Sequence, residues 1–192
     1  MATHLLGAFY VTQPAFGAGY GRIVFTSSLV GVFGSPWRAA YGAAKGGVIG
    51  LMNTVAVEGE WHGILCNAIP PGALTRMGQN EIENVPPDLR ETVDAFVGLK
   101  TGLTPDYVTP MVLYLASEHC RVTHAMYSAI AGRYARVFIG LTEGWQEPTT
   151  VPASREDIET HLAAIEDPAG YIIPSSGVDG LRAIATARQQ NH

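Results

Sequence analysis

Arg22-Ile23-Val24-Phe25-Thr26-Ser27-Ser28, followed by Tyr41-Gly42-Ala43-Ala44-Lys45, is the stretch on which the reading of this chain turns. Ile23 to Thr26 are β-branched or aromatic, the composition of a strand buried in a parallel sheet. Tyr41 and Lys45 belong to the longest helical pattern, residues 39–61, where Tyr41, Ala44, Val48, Leu51, Met52 and Val55 recur at three- and four-residue steps. Four residues make about one turn, so the phenol and the ammonium lie on one helix face. Ser28 stands just past the strand, thirteen residues before Tyr41. A strand end facing a helix start is where α/β sheets place their chemistry.

That chemistry is proton exchange with an alcohol. A phenol is a poor base near neutrality, and a cation about 4 Å from a phenolate contributes about 4 kcal/mol at an effective dielectric near 20. A serine hydroxyl nearby can orient the same alcohol oxygen. Tyr-x-x-x-Lys alone is more often an ordinary amphipathic face, and paired serines after a strand are often a turn. The order and spacing of all three together carry the reading.

Outward from this centre, residues 3–18 read as an apolar helix that Pro14 should kink or end. Gly17-Ala18-Gly19-Tyr20-Gly21 reads as a turn into the strand. Gly63 ends the long helix, and residues 64–69 form a second buried strand cut off by Pro70-Pro71-Gly72. A helix is expected around 88–99. Another should start at Thr104 as N-cap, with Pro105 in its first turn, and run to about Glu118. Residues 125–130 and 136–141 read as extended. Ser154 and Asp157 announce a helix through Ile165, and the tail after Asp167 reads as a loose surface wrap. The alternation gives an α/β fold with a small parallel sheet. Two segments are expected: a catalytic domain over 1–141 and a C-terminal extension packed on it over 142–192.

Of 192 residues, 47% are hydrophobic and 15% charged, and the net charge is −5. That balance suits a globular domain and offers no basic surface for nucleic acid or anionic membrane. Two cysteines and no secretory pattern suggest reduced thiols in the cytoplasm. His119, Cys120 and His124 lack a fourth ligand, so no metal is expected. Cys66 reads as a small core residue. Trp37 and Trp61 should pack or line the substrate entrance, and Glu58 is either a buried, paired carboxylate or a solvated one.

Arg22-Ile-Val-Phe-Thr-Ser-Ser, Gly31, Tyr41-x-x-x-Lys45, Glu58 and Asn67-Ala-Ile-Pro-Pro-Gly resemble, in register, the pattern of the short-chain dehydrogenase/reductase family. Several further stretches resemble its (3R)-hydroxyacyl-CoA dehydrogenase branch, that of peroxisomal multifunctional enzymes and their single-domain bacterial relatives. They are His4-Leu5-Leu6-Gly7-Ala8-Phe9, Thr75-Arg76-Met77, Pro105-Asp106-Tyr107-Val108-Thr109-Pro110 and Glu118-His119-Cys120. The resemblance implies an NAD- or NADP-dependent oxidoreductase of a secondary alcohol or ketone, with a 3-hydroxyacyl thioester the leading substrate. Tyr41 would be the acid/base, Lys45 its partner and a ribose ligand, and Ser28 the substrate-orienting hydroxyl. Pro71, Gly72 and Thr75 would lie beside the nicotinamide. Many family members carry asparagine where His4 stands, and a histidine there can bind the water of a proton relay. The helices at 3–18 and 39–61 would form a homodimer or tetramer.

The family also opens with a strand, a glycine-rich turn and a helix that cradle the pyrophosphate. Gly17 to Gly21 precede a strand where that fingerprint follows one, and the acidic residue that reads the ribose has no counterpart. The expected fold is therefore the C-terminal part of a Rossmann-type doubly wound parallel sheet, with the first strands and glycine-rich loop missing. At roughly 30 residues per βαβ unit, about 100 residues would be absent. The strand at 22–26 would then offer an open edge. The alternative reading is a non-catalytic truncated remnant or an oligomerisation module without cofactor binding.

Overall fold

The computed structural model describes residues 1–76, 86–87, 90–99, 101–147 and 151–190. They fall into two compact units, Met1–Val137 and Phe138–His192.

In the first unit a π-helical turn, Ala2–Leu6, leads into α1, Gly7–Phe16. Pro14 lies inside α1, and the helix stops two residues later, where the Gly17 N–H donates to the Pro14 carbonyl at 3.2 Å. Then come β1 (Gly21–Thr26), the short α2 (Val30–Phe33) and the 21-residue α3 (Ala39–Gly59). Gly63, left-handed at φ 66°, turns the chain into β2, Ile64–Ile69. Among the described residues this unit continues with the helices and strands β3 (Pro71–Gly72), α4 (Arg90–Val97), α5 (Thr109–Ala116), β4 (Ala125–Ile130) and β5 (Arg133–Val137).

β1 and β2 pair in parallel from Gly21↔Ile64 to Thr26↔Ile69. β4 runs parallel beside β2 and then β3. Asn67 faces Ala125 and Gly72 faces Ile130 at one sequence offset, so β3 continues the line of β2 past Pro70. β5 folds back antiparallel on β4. Among the described residues β1 is paired only with β2, leaving its other edge free.

The core follows from the alternation of side chains along the strands. Phe25, Cys66, Ala68 and Met126 pack against Val48, Ile49, Met52, Val55 and Ala56 of α3. Asn67 and Ile69 alternate to the opposite face and are also fully buried, so β2 is covered on both sides. The Asn67 amide fills a strand-end role: Nδ2 donates to the Val122 carbonyl at 2.8 Å, and Oδ1 accepts the Ala125 N–H at 3.2 Å.

Several expectations need correction. Thr104 is the N-cap residue with Pro105 after it, as expected, but only of a short 3-10 turn, and its hydroxyl makes no cap bond, donating instead to Asp106 Oδ2 at 3.1 Å. A 3-10 turn at Pro105–Tyr107 precedes α5, which starts afresh at Thr109 with Pro110 in its first turn, where a missing N–H is harmless. The last strand is Arg133–Val137, not 136–141, because Ala131 and Gly132 take φ of 51° and 78° and form a two-residue hairpin turn. Trp37 and Trp61 are 76% and 79% exposed, and Glu58 is exposed and solvated.

In the second unit α6 (Arg155–Glu166) opens on a reciprocal cap between Ser154 and Asp157, as expected. Leu141 pairs with Ile172, and Trp145 stacks on His161 with ring centroids 4.0 Å apart. The tail is no loose wrap: it forms α7, Gly177–Gln190. Ser176 Oγ accepts the Asp179 N–H at 3.1 Å, and Asp179 Oδ2 accepts the Ser175 N–H at 2.9 Å. Among the described residues no helix is long and apolar enough to cross a membrane.

Candidate active site

α3 presents Tyr41 in its first turn and Lys45 in the second. Tyr41 is half-buried, whereas Lys45 is only 7% exposed. The Lys45 side chain reaches back to the end of β1, where Nζ donates to the Thr26 carbonyl at 2.9 Å. From there it lies 5.8 Å from the centroid of the Tyr41 ring. Burial pushes the Lys45 ammonium below the ordinary lysine value. The His4 ring meets the Tyr41 ring edge-on with centroids 6.1 Å apart, and the Arg38 guanidinium carbon lies 6.0 Å from the same centroid.

Ser28 leaves β1 just past its end and is half-buried. Its Oγ accepts the Val30 N–H at 3.2 Å, opening α2, and keeps its own proton for donation. Both flanks of Ser28 touch α3. Ser27 Oγ donates to the Lys45 carbonyl at 2.9 Å, and a side-chain carbon on Gly42 would meet the Val30 carbonyl oxygen at 3.5 Å. Ser28 is thus held between two contacts with the turn that joins Tyr41 to Lys45.

Because Thr26 pairs with Ile69, β1 and β2 end level, and the chain leaving β2 through Pro71, Gly72 and Thr75 emerges at the same end of the sheet as Ser28. Thr75 is exposed there and Gly72 is buried. A side-chain carbon on Gly72 would fall 2.6 Å from Ile130 Cγ1, so packing on β4 already demands a glycine. Tyr41, Lys45 and His4 come into contact range; Pro71, Gly72 and Thr75 share the sheet end with them by register. A cavity of about 350 Å³ runs along residues 23–26 of β1, is walled by α1 and reaches His4 and Lys45.

The glycines of residues 17–21 close α1 and enter β1. No strand leads into them, so they lack the strand-turn-helix order that aims backbone N–H groups at a pyrophosphate. The residues that fit a nicotinamide cofactor are therefore those of its reactive half. Thr26 and Ser27, which hold Lys45, escape a reading of side-chain motifs: one contributes only a carbonyl, and the other looks like a turn serine.

The family described as enoyl-(acyl carrier protein) reductase matches residues 1–131. A short-chain type dehydrogenase/reductase of Mycobacterium tuberculosis is 34% identical over 174 residues, covering 88% of this chain and 56% of that protein. The (3R)-3-hydroxyacyl-CoA dehydrogenase of Rattus norvegicus is 39% identical over 124 residues, or 62% of this chain and 46% of that protein. Full-length peroxisomal multifunctional enzyme type 2 from Drosophila melanogaster superposes with a TM-score of 0.77 at 27% identity, over 98% of this chain and 33% of that one. ElxO with NADP bound and 4-hydroxyisoleucine dehydrogenase complexed with NADH each align over 67% of this chain, covering 54% and 55% of theirs, with TM-scores of 0.54 and 0.57 at 29% and 26% identity. This chain spans a third to little more than half the length of these relatives.

Proposed function

The chain belongs to the short-chain dehydrogenase/reductase family, and on that premise we propose that it carries the proton-transfer centre of an NAD- or NADP-dependent oxidation of a secondary alcohol, or the reverse reduction of a ketone. A 3-hydroxyacyl thioester is the substrate we favour, supported by the likeness to the rat dehydrogenase. The observation that carries the reading is the Lys45 ammonium, anchored on the Thr26 carbonyl one helical turn from Tyr41, with Ser28 on the adjoining loop. Bound nicotinamide would accept the hydride in oxidation and donate it in reduction.

The chain's own residues do the rest. Tyr41 exchanges the alcohol proton through its hydroxyl, and Ser28 donates to the same oxygen and orients it. Lys45 holds its ammonium on the Tyr41 side of the site, 5.8 Å from the ring centroid. Lys45 and Tyr41 would also meet the nicotinamide ribose, with Pro71, Gly72 and Thr75 beside the ring.

Tyr41→Phe tests the assignment in the chain fused to the glycine-rich first half of a relative and assayed with a 3-hydroxyacyl thioester and each nucleotide. Turnover should fall about 10²- to 10⁴-fold, the range of a lost general acid/base, with nucleotide affinity little changed. Wild-type turnover in that variant would sink the assignment. A second reading, assembly of like chains through α1 and α3, is favoured by Phe9, Tyr10 and Val11, which α1 leaves 43%, 63% and 76% exposed. Light scattering that returned a clean monomer would exclude it.

A further inference from the structure

We infer that Ser27, not only the residues that face substrate, is a positioning residue for Lys45: its hydroxyl fixes the helical turn from which the ammonium reaches the strand end. Ser27 is 2% exposed, and its N–H donates to the Ile69 carbonyl at 2.9 Å, tying the end of β1 to the end of β2. Its Oγ donates to the main-chain carbonyl of Lys45 at 2.9 Å, while Lys45 Nζ donates to the carbonyl of Thr26 at 2.9 Å. Strand end and helix turn are therefore clasped twice, in opposite senses, by adjoining residues. One bond holds the lysine's helical turn against the strand end and the other its ammonium, so the four-carbon stem between them has both ends fixed.

A third contact closes on the same peptide. A side-chain carbon on Gly31 would fall 2.7 Å from the Lys45 carbonyl carbon and 2.8 Å from the Gly46 nitrogen. The loop that carries Ser28 thus lies directly on the Lys45 turn. Among the described residues, the ionisable groups placed near the ammonium are Tyr41 on its own helix, His4 on the turn ahead of α1 and, against the Tyr41 ring, Arg38. None supplies the negative charge that would hold a buried ammonium by itself. Direction and distance come from hydrogen bonds, and of these the Ser27 bond is the one that ties the lysine's helical turn to the end of β1.

The inference rests on the proposed reaction only for its purpose; the contact itself is read without turnover. Lys45 and Lys100 are the only lysines, so selective ¹³C labelling of lysine gives two side-chain signals, and Lys45→Arg assigns them. In Ser27→Ala the Lys45 Cε signal should sharpen, lose its dispersion and titrate at a higher pH than in the wild type, because a loosened stem lets water reach the ammonium. Ser27→Thr, which keeps the hydroxyl, should restore the wild-type signal. An unchanged Lys45 titration and line shape in folded Ser27→Ala would overturn the inference. So would the same change in Ser27→Thr, which would make the effect one of packing. Loss of the fold in Ser27→Ala would overturn it too, by making the hydroxyl a requirement of the sheet. A fusion enzyme that keeps its rate in Tyr41→Phe would fail the proposed function while leaving this contact standing.

Discussion

An ammonium kept nearly out of water makes Lys45 a reporter of pH as well as a candidate for chemistry. Its value in the fold lies below the ordinary lysine value of about 10.4, with desolvation as the cause. Between the two values the unfolded chain holds more protons than the folded one, so this group makes stability rise with pH across that window. Cys66 acts in the opposite sense. Burial pushes its thiol up to about 12, so its contribution is complete below the ordinary thiol value near 8.5 and lost as pH rises beyond it. The difference between wild type and Lys45→Met cancels the thiol. Urea unfolding of the pair should show the variant's advantage shrinking as pH rises from 7 towards 10.4, and a constant difference would refute a depressed lysine. The Tyr41 and Lys45 spacing was legible in the sequence because helical periodicity fixes which side chains share a face. The acceptor of the ammonium was not, since any residue supplies a carbonyl and nothing in the sequence marks Thr26.

Between elements, α2 comes close enough to α3 at Gly31 that a methyl there has no room. Gly31→Ala would press a methyl against the Lys45 and Gly46 backbone, which cannot rotate aside as a side chain can. Overpacking of this kind costs roughly 1–3 kcal/mol, and thermal or urea unfolding should register it. A variant as stable as the parent would mean the loop moves freely off the helix. The strands β1, β2 and β4 and the helix α3 were legible because their apolar patterns are long and regular. α7 was missed because Pro174, Ser175, Ser176 and Gly177 have the composition of a loop, which hid the cap signature of Ser176 and Asp179. Asp157 and Asp179 show what such caps do: hydrogen bonds from Ser154 and Ser175 hold both carboxyls below the usual range. β5 was placed three residues late because Ala131 is an unusual occupant of a left-handed turn position, where asparagine, aspartate or glycine would have announced the hairpin.

For the molecule as a whole, the residues proposed to meet the nicotinamide stand without a pyrophosphate cradle among the described residues. Binding energy from the remote part of a cofactor positions its reactive end. The purified 192-residue chain should therefore bind NAD(H) and NADP(H) weakly or not at all. Calorimetric titration checks this, and micromolar affinity would mean a phosphate site elsewhere in the chain. The edge of β1 away from β2, which no strand pairs among the described residues, is the other molecular-scale feature, and beside a cavity it is a template for another strand. The turn at Ala131 and Gly132 bears on time. Among the described residues β4 and β5 are paired through a two-residue turn; β1 must wait for all of α3 before it meets β2, and β2 for a longer span before it meets β4. Closing a loop loses more chain entropy the longer it is, and a hairpin forms in about 1–10 μs. The last-synthesised edge of this sheet is thus the one that can assemble first, and the clasp on Lys45, with partners 18 and 19 residues apart, closes a shorter loop than the pairing of β1 with β2.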